Sequence, residues 1–358
     1  MSKVSVCYPL YPFSWLYGLG AGIRNKMFDW GFLKSQSFNL PIISIGNLSV
    51  GGTGKTPHTE YLIRLLQPLG KVAVLSRGYK RCTKGFVLAT PHSTMPELGD
   101  EPYQMKQKFP DIMMAVDANR CHGVQEILKT ETPLTILLDD AYQHRYINRG
   151  LNILLTDYNR PYWKDAILPA GRLRESRKGS SRADIIIVTK CPEKLSIEQI
   201  QNIEKQIAPN SNQQLYFSHI CYASTQNLLH GEENVTLSGR NVLLLSGIAN
   251  PKPLLDYVEK SAKKTKHLSF PDHHQFTADD TLQITKELEA LGKDAIILTT
   301  EKDGTRLKSM KELPPTIKEK TWVLPIKIEI LNNKTQQFNQ TIIDYVTKNT
   351  RNSSLSEG

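Results

Sequence analysis

The sequence predicts an α/β protein, with a P-loop NTPase-like doubly wound sheet followed by a second, smaller α/β domain. Residues 42–57 read as a short apolar strand, a glycine-rich turn and the opening of a helix. Runs rich in Val, Ile and Leu recur at 71–76, 135–139, 152–156 and 184–190, separated by stretches with helical spacing. Unbroken apolar strands of this kind belong to a parallel sheet covered on both faces. A polar interval at 210–214 and a mixed segment up to 238 precede a second series at 241–251, 266–270 and 295–299. The expected organisation is an N-terminal interfacial segment 1–33, a P-loop domain 34–214, a linker 215–238, a smaller domain 239–345 and a disordered tail 346–358, whose Asn/Ser-rich composition is short of apolar residues.

The first element is the compositional outlier. No charged side chain occurs from Val4 to Ile23, and Tyr8, Tyr11, Trp15, Tyr17 and Trp30 are amphipathic aromatics of the kind that settle at a membrane interface. Pro9, Pro12, Gly18, Gly20 and Gly22 argue against one continuous buried helix. A signal peptide would place its positive charges first, whereas here Arg24 and Lys26 follow the apolar stretch. Residues 14–33 therefore read as a segment lying on a membrane or gripping acyl chains. The alternative is a greasy helix packed on the protein's own core.

In the glycine-rich turn, Ser49, Val50, Gly51, Gly52, Thr53, Gly54, Lys55 and Thr56 form the candidate nucleotide cradle. Glycines let backbone N–H groups close around phosphate oxygens, Lys55 neutralises the terminal phosphates, and the Thr56 hydroxyl suits Mg²⁺. Ser49 stands where the full pattern has glycine. Pro57 fits the first helical turn. With 358 residues, a formal charge of +10 and no motif that reads nucleic acid, the chain is expected to take anionic small or lipid ligands rather than RNA or DNA. Its five cysteines show no Cys-x-x-Cys spacing, which fits a reducing cytosol rather than a zinc site or disulfide framework.

Further along, the strand at 135–139 ends in Asp139 and Asp140, where a nucleotide-bound Mg²⁺ is usually held. Alternation along a strand lets both carboxylates face one ion only if the strand stops there and the chain turns. Asp100 and Glu101 follow Gly99 and precede Pro102, which suits either a helix cap or a carboxylate beside the γ-phosphate. Arg77, directly after a strand, and the pair Arg172 and Arg174 are candidate phosphate clamps, since a guanidinium offers paired donors. The bland reading of the second cluster is a solvated loop. Asp272, His273 and His274 sit after a strand of the second series and form a modest site candidate.

These pieces, in this order, resemble the tetraacyldisaccharide 4'-kinase family, the lipid A 4'-kinases. The likeness rests on Gly46–Asn47 leading into the 51–57 loop, then 75–79, 99–102, 138–145, 171–175, 270–274 and 300–303, and it runs to about Leu307. It implies transfer of the γ-phosphoryl group of ATP to the 4'-hydroxyl of an acylated glucosamine disaccharide 1-phosphate, at the cytoplasmic face of the inner membrane, by a peripheral enzyme. It further implies Lys55 and Thr56 on phosphates and Mg²⁺, Asp139 and Asp140 at the metal with Glu101 beside them, and Asp100 as catalytic base supported by His273. Glu175 matches a family acid, grouped here with Arg77, Arg172 and Arg174 as substrate-binding. Ala141-Tyr142, Ala170 and Ser176 depart from the usual pattern. Two rival readings are a membrane-surface switch ATPase, which would carry a lysine where Val50 stands, and a kinase of a soluble small molecule, which would not need the aromatic N-terminus.

Overall fold

The structure, a computed structural model, describes residues 6–231, 234–272, 274–310 and 312–355. The chain divides into a larger unit, formed by the chain up to Ile220 and again from Ile328, and a smaller unit, Cys221–Lys327. In chain order the strands are β1 (Ile42–Asn47), β2 (Val72–Ser76), β3 (Val87–Leu88), β4 (Met113–Val116), β5 (Thr135–Asp139), β6 (Leu151–Asp157), β7 (Ile185–Thr189) and β8 (Gln214–Tyr222). Then follow β9 (Gln226–Asn227), β10 (Asn241–Ser246), β11 (Lys264–Ser269), β12 (Ile296–Thr300) and β13 (Thr321–Leu324), and finally β14 (Ile326–Ile330).

The large sheet has the order β14-β8-β7-β6-β1-β5-β2-β4-β3. From β8 to β4 its pairs are parallel, while the two edges run antiparallel to their neighbours: β3 to β4, and β14 to β8, where Leu331 N–H donates to Phe217 O and Ala223 N–H to Pro325 O. Ile43 of β1 faces Leu137 of β5 on one side and Leu151 of β6 on the other. From β1 the chain goes to β2 beyond β5, then crosses back to β6, so the turn leaving β1 opens where the strand order reverses. In open parallel sheets that is the place where ligands bind.

Helices cover both faces, which is why every residue of β1, β2 and β5 is buried. In chain order they are α1 (Tyr11–Asp29), α2 (Lys55–Leu66), α3 (Met95–Leu98), α4 (Asp100–Lys108), α5 (Arg120–Thr130) and α6 (Ile197–Ile207). The smaller unit adds α7 (Lys252–Ser261), α8 (Ala278–Ala290), α9 (Glu301–Lys308) and α10 (Pro315–Lys320), and α11 (Thr335–Leu355) ends the chain. Ile43, Ile45, Val74 and Leu137 pack with Leu62, Ile63 and Leu66 of α2, Met105 of α4 and Phe338, Ile342 and Val346 of α11. On the opposite face Ala73, Leu75, Ile136 and Leu138 pack with Val124 and Ile127 of α5.

In the smaller unit the order is β11-β10-β12-β13-β9, parallel except at β9. Leu243, Leu245, Ile284, Leu288, Ile297 and Leu307 form one face of its core, and Val242, Leu244, Leu254, Val258 and Leu298 the other. Asp303 accepts hydrogen bonds from the Gly247 N–H (2.9 Å) and the Thr300 hydroxyl (2.8 Å) and pairs with buried Arg306 at 3.0 Å. The residues at 300–303 thus start α9 and tie it to β10.

The domain boundaries differ from the expectation. Residues 215–222 are not a linker: they belong to β8, where Leu215, Tyr216, Phe217 and Ser218 are buried. The smaller unit is an insertion between β8 and β14, and it ends at Lys327 rather than at 345. The expected tail from 346 onward begins inside α11, where Val346 is fully buried. Sequence reasoning missed the last of these because α11 reaches the core through Phe338, Ile342 and Val346 at four-residue spacing, in a segment otherwise rich in Gln, Thr and Asn. Residues 356–358 lie outside the described part.

Candidate active site

The loop leaving β1 is held from three sides. Its first half forms a short ribbon with residues 172–174: the Val50 N–H donates to Arg172 O (2.8 Å) and the Arg174 N–H to Leu48 O (2.7 Å). Ser49 bridges Leu173 in that ribbon, which explains how a non-glycine residue fits where the pattern asks for glycine. Asn47 Nδ2 donates to the Thr53 hydroxyl at 2.8 Å, and the Thr189 hydroxyl at the end of β7 donates to Thr53 O at 2.8 Å. Gly51 and Gly54 take φ of 109° and 88°, left-handed values that a side chain resists. Lys55 and buried Thr56 then open α2, whose N-terminal amides and dipole favour an anion.

Beside this loop β5 stops at Asp139, and Asp140 takes φ of 47°. That left-handed turn overcomes strand alternation and brings both carboxylates to the loop side. Asp140 lies 3.6 Å from Lys55 Nζ and receives Arg174 through both oxygens, at 3.1 and 3.3 Å. Burial works to raise its carboxyl, but Lys55 and Arg174 outweigh it and hold it below the usual range. Asp139 is 1% exposed and accepts from the Thr59 and Ser76 hydroxyls, both at 3.3 Å. Burial, then the nearby charges of Glu101 and Asp140, push its carboxyl up to about 6, with Lys55 opposing.

Asp100 and Glu101 are the first two residues of α4. Gly99, with φ of 89°, occupies the cap position, so the capping reading of Asp100 does not hold. A Cβ on Gly99 would lie 2.7 Å from Tyr79 O, so glycine is required for the turn that presents these two acids. Arg77 follows β2 and is exposed; it adds to the field on Arg120, a buried guanidinium that burial depresses to about 10. Arg172 is exposed, its guanidinium near Gly51.

The 172–177 cluster is not a solvated loop, since Leu173 and Glu175 are buried. Glu175 receives Arg182 Nη2 at 2.8 Å on each oxygen, Asn25 Nδ2 at 2.8 Å and Gln143 Nε2 at 3.1 Å. The same Gln143 amide donates to Asn47 O at 2.8 Å, at the start of the phosphate loop. Glu175 therefore brackets α1 to the loop.

Sequence reasoning missed Gln143, Asn25 and Arg182 as partners in this bracket, and also Lys190. The signal was Gln143 three residues past the second strand-end acid, whereas Asn25 is 150 residues from Glu175 in sequence. His273 lies outside the described residues. Its neighbour His274 is used in packing, with Nε2 2.8 Å from Asp280 and the ring stacked on Phe270 at 4.9 Å.

α1 is continuous, with Pro12 in its first turn, where no N–H is needed. It is not buried. Phe13 and Trp15 are 61% and 69% exposed, and Tyr17, Leu19, Ile23, Trp30 and Phe32 are exposed as well. The inner face is held by polar contacts: the Ser14 hydroxyl donates to Ile167 O (2.9 Å), Ala170 N–H donates to Ser14 Oγ (2.9 Å), and Arg145 pairs with Asp29 at 2.7 Å. No helix among the described residues is long and apolar enough to cross a membrane.

Among the described residues no three acidic, His or Cys groups form a closed cage. Mg²⁺ in nucleotide sites takes one or two carboxylates and completes its shell with water and phosphate oxygens, and Asp139, whose carboxyl is raised by burial first and by nearby Glu101 and Asp140 second, stands among acids able to supply them. The residues present fit such an ion.

Residues 7–347 match the family model described as tetraacyldisaccharide-1-P 4'-kinase. The chain is 51% identical to a tetraacyldisaccharide 4'-kinase of Bacteroides thetaiotaomicron, covering 97% of this chain and 95% of that one. Its identity to the protein of the same name from Flavobacterium johnsoniae is 46%, covering 95% and 97%. A crystal structure of LpxK from Aquifex aeolicus in complex with ATP superposes with a TM-score of 0.74 at 30% identity, covering 95% of this chain and 98% of that one. Extended over nearly the whole chain, these likenesses make it a member of the tetraacyldisaccharide 4'-kinase family.

Proposed function

We propose that this chain transfers the γ-phosphoryl group of ATP to the 4'-hydroxyl of a tetraacylated glucosamine disaccharide 1-phosphate, a step of lipid A biosynthesis. The observation that carries the reading is the joining, through Glu175 and Gln143, of an outward-facing apolar helix to a phosphate loop. A lipid acceptor stays in its membrane, so the catalyst must bring the nucleotide to it.

In this reading the loop 49–56 holds the triphosphate, Lys55 sits on its terminal phosphates, and Arg77 and Arg172 hold anionic groups of nucleotide or acceptor. Arg174 and Asp140 position Lys55. Thr56, Asp139, Asp140 and Glu101 are the residues that would hold Mg²⁺, which neutralises charge on the β- and γ-phosphates when bound. Asp100 accepts the proton of the acceptor hydroxyl as its oxygen bonds to the γ-phosphorus and the bond to the β-phosphate oxygen breaks, releasing ADP. His273 as support for Asp100 rests on the family resemblance alone. Glu175 acts by positioning rather than by touching substrate.

The exposed apolar face of α1 lies on a bilayer, making the protein peripheral. ATP as the phosphoryl donor favours the cytoplasmic leaflet of the inner membrane. The test is to incubate purified protein with [γ-³²P]ATP and acylated disaccharide 1-phosphate. The expected result is label in the lipid phase at the 4'-position, and label released only as inorganic phosphate would favour a switch ATPase.

A further inference from the structure

Asp139, Asp140 and Glu101 stand on the β5 side of β1, which assigns the γ-phosphate end of the nucleotide to that side. The nucleoside then leaves over the other flank, across the ends of β6 and β7. That exit is built from specific contacts. Lys190, the residue after β7, donates its Nζ to Gly52 O in the phosphate loop and to Asp157 Oδ2 at the end of β6, the latter at 2.8 Å. Its backbone φ is 55°, a conformation that non-glycine residues hold only where surroundings enforce it. With the ammonium tied at both partners and the side chain one-third exposed, the methylene stem is left as a fixed apolar rail beside the loop.

We propose that Lys190, positioned by Asp157, is the nucleoside-binding residue of the ATP site, with the purine lying against its methylene stem and immobilised ammonium. The attraction is apolar contact with a cation–π component. This rests on the reading of the loop as an ATP site.

The experiment measures Kd for ATP and for inorganic tripolyphosphate, both with Mg²⁺, in the unaltered protein and in Lys190→Ala, Lys190→Gly and Lys190→Met. Both ligands use the loop but only ATP reaches the rail, so the ratio of the two constants isolates the nucleoside contact. The ratio is expected to rise about tenfold in the Ala and Gly variants and to stay within about threefold in Met, which keeps the stem. Glycine accepts a φ of 55° freely, so that variant keeps the fold. If ATP and tripolyphosphate weaken in parallel, Lys190 merely props the loop and the inference is overturned. A Met ratio as high as that of Ala overturns it equally. An unaltered protein that binds neither ligand sinks the ATP-site reading itself.

Discussion

Burial beside Glu101 and Asp140 pushes the Asp139 carboxyl up to about 6 from an ordinary 3.8, so the folded chain holds this acid at a cost in stability. An acid with a raised folded pKa stabilises the fold fully when protonated, below 3.8. That contribution is lost as pH rises through about 6. At pH 7 and without nucleotide, Asp139→Asn should therefore raise stability, by up to about 3 kcal/mol if the full shift is recovered, while phosphoryl transfer is lost. Denaturant titration with a parallel activity assay checks both halves, and a destabilised variant would contradict the electrostatic account. In the unaltered enzyme, transfer should fall as pH drops through about 6, where Asp139 takes up its proton. Asp100→Asn should lower transfer by about 10²–10⁴-fold with ATP affinity unchanged, measured by single-turnover kinetics and calorimetry. Lost affinity with normal turnover would remove Asp100 from the base role. Lys55, Asp139 and Asp140 were legible in the sequence because their chemistry follows from local spacing. The left-handed turn at Asp140 that brings the pair together was foreseen as a requirement and not as a fact. Glu175 and Lys190 were opaque in a different way, because each is defined by partners more than a hundred residues away, Asn25 for one and Gly52 for the other.

At the scale of elements, α1 turns most of its aromatics outward, buried Phe28 excepted, and docks largely through polar contacts. The charge-free run made an unusual surface legible. That it forms one helix, and that Ser14, Asn25 and Asp29 are its docking side, depends on where Ile167, Glu175 and Arg145 stand in the folded unit. Replacing exposed Phe13, Trp15 and Leu16 together with Gln should leave the melting temperature nearly unchanged, since exposed substitutions away from special contacts typically change stability by only about 0.5 kcal/mol. Binding to anionic phospholipid vesicles should fall at least about tenfold, because each lost side chain is worth roughly 1.5 kcal/mol or more when buried. Sedimentation with vesicles measures it, and undiminished binding would show that another surface meets the membrane.

For the whole molecule, the parallel order of the large sheet was legible because β1, β2, β5, β6 and β7 are long apolar runs. The insertion of the smaller unit was not, since β8 and β14 are half polar and their pairing joins residues about a hundred positions apart. The large unit thus carries the phosphate loop, the acid cluster and the apolar helix on one framework closed by α11, and the proposed reaction sets this framework to work on an acceptor resident in a membrane. The most direct measurement is surface dilution: the acylated disaccharide 1-phosphate is held at constant bulk concentration while its fraction in phospholipid vesicles is lowered with inert lipid, and label transfer from ATP is followed. Transfer is expected to fall in proportion to the surface fraction and to lose that dependence in the Phe13, Trp15 and Leu16 variant. A rate set by bulk concentration alone, the same for both proteins, would contradict it.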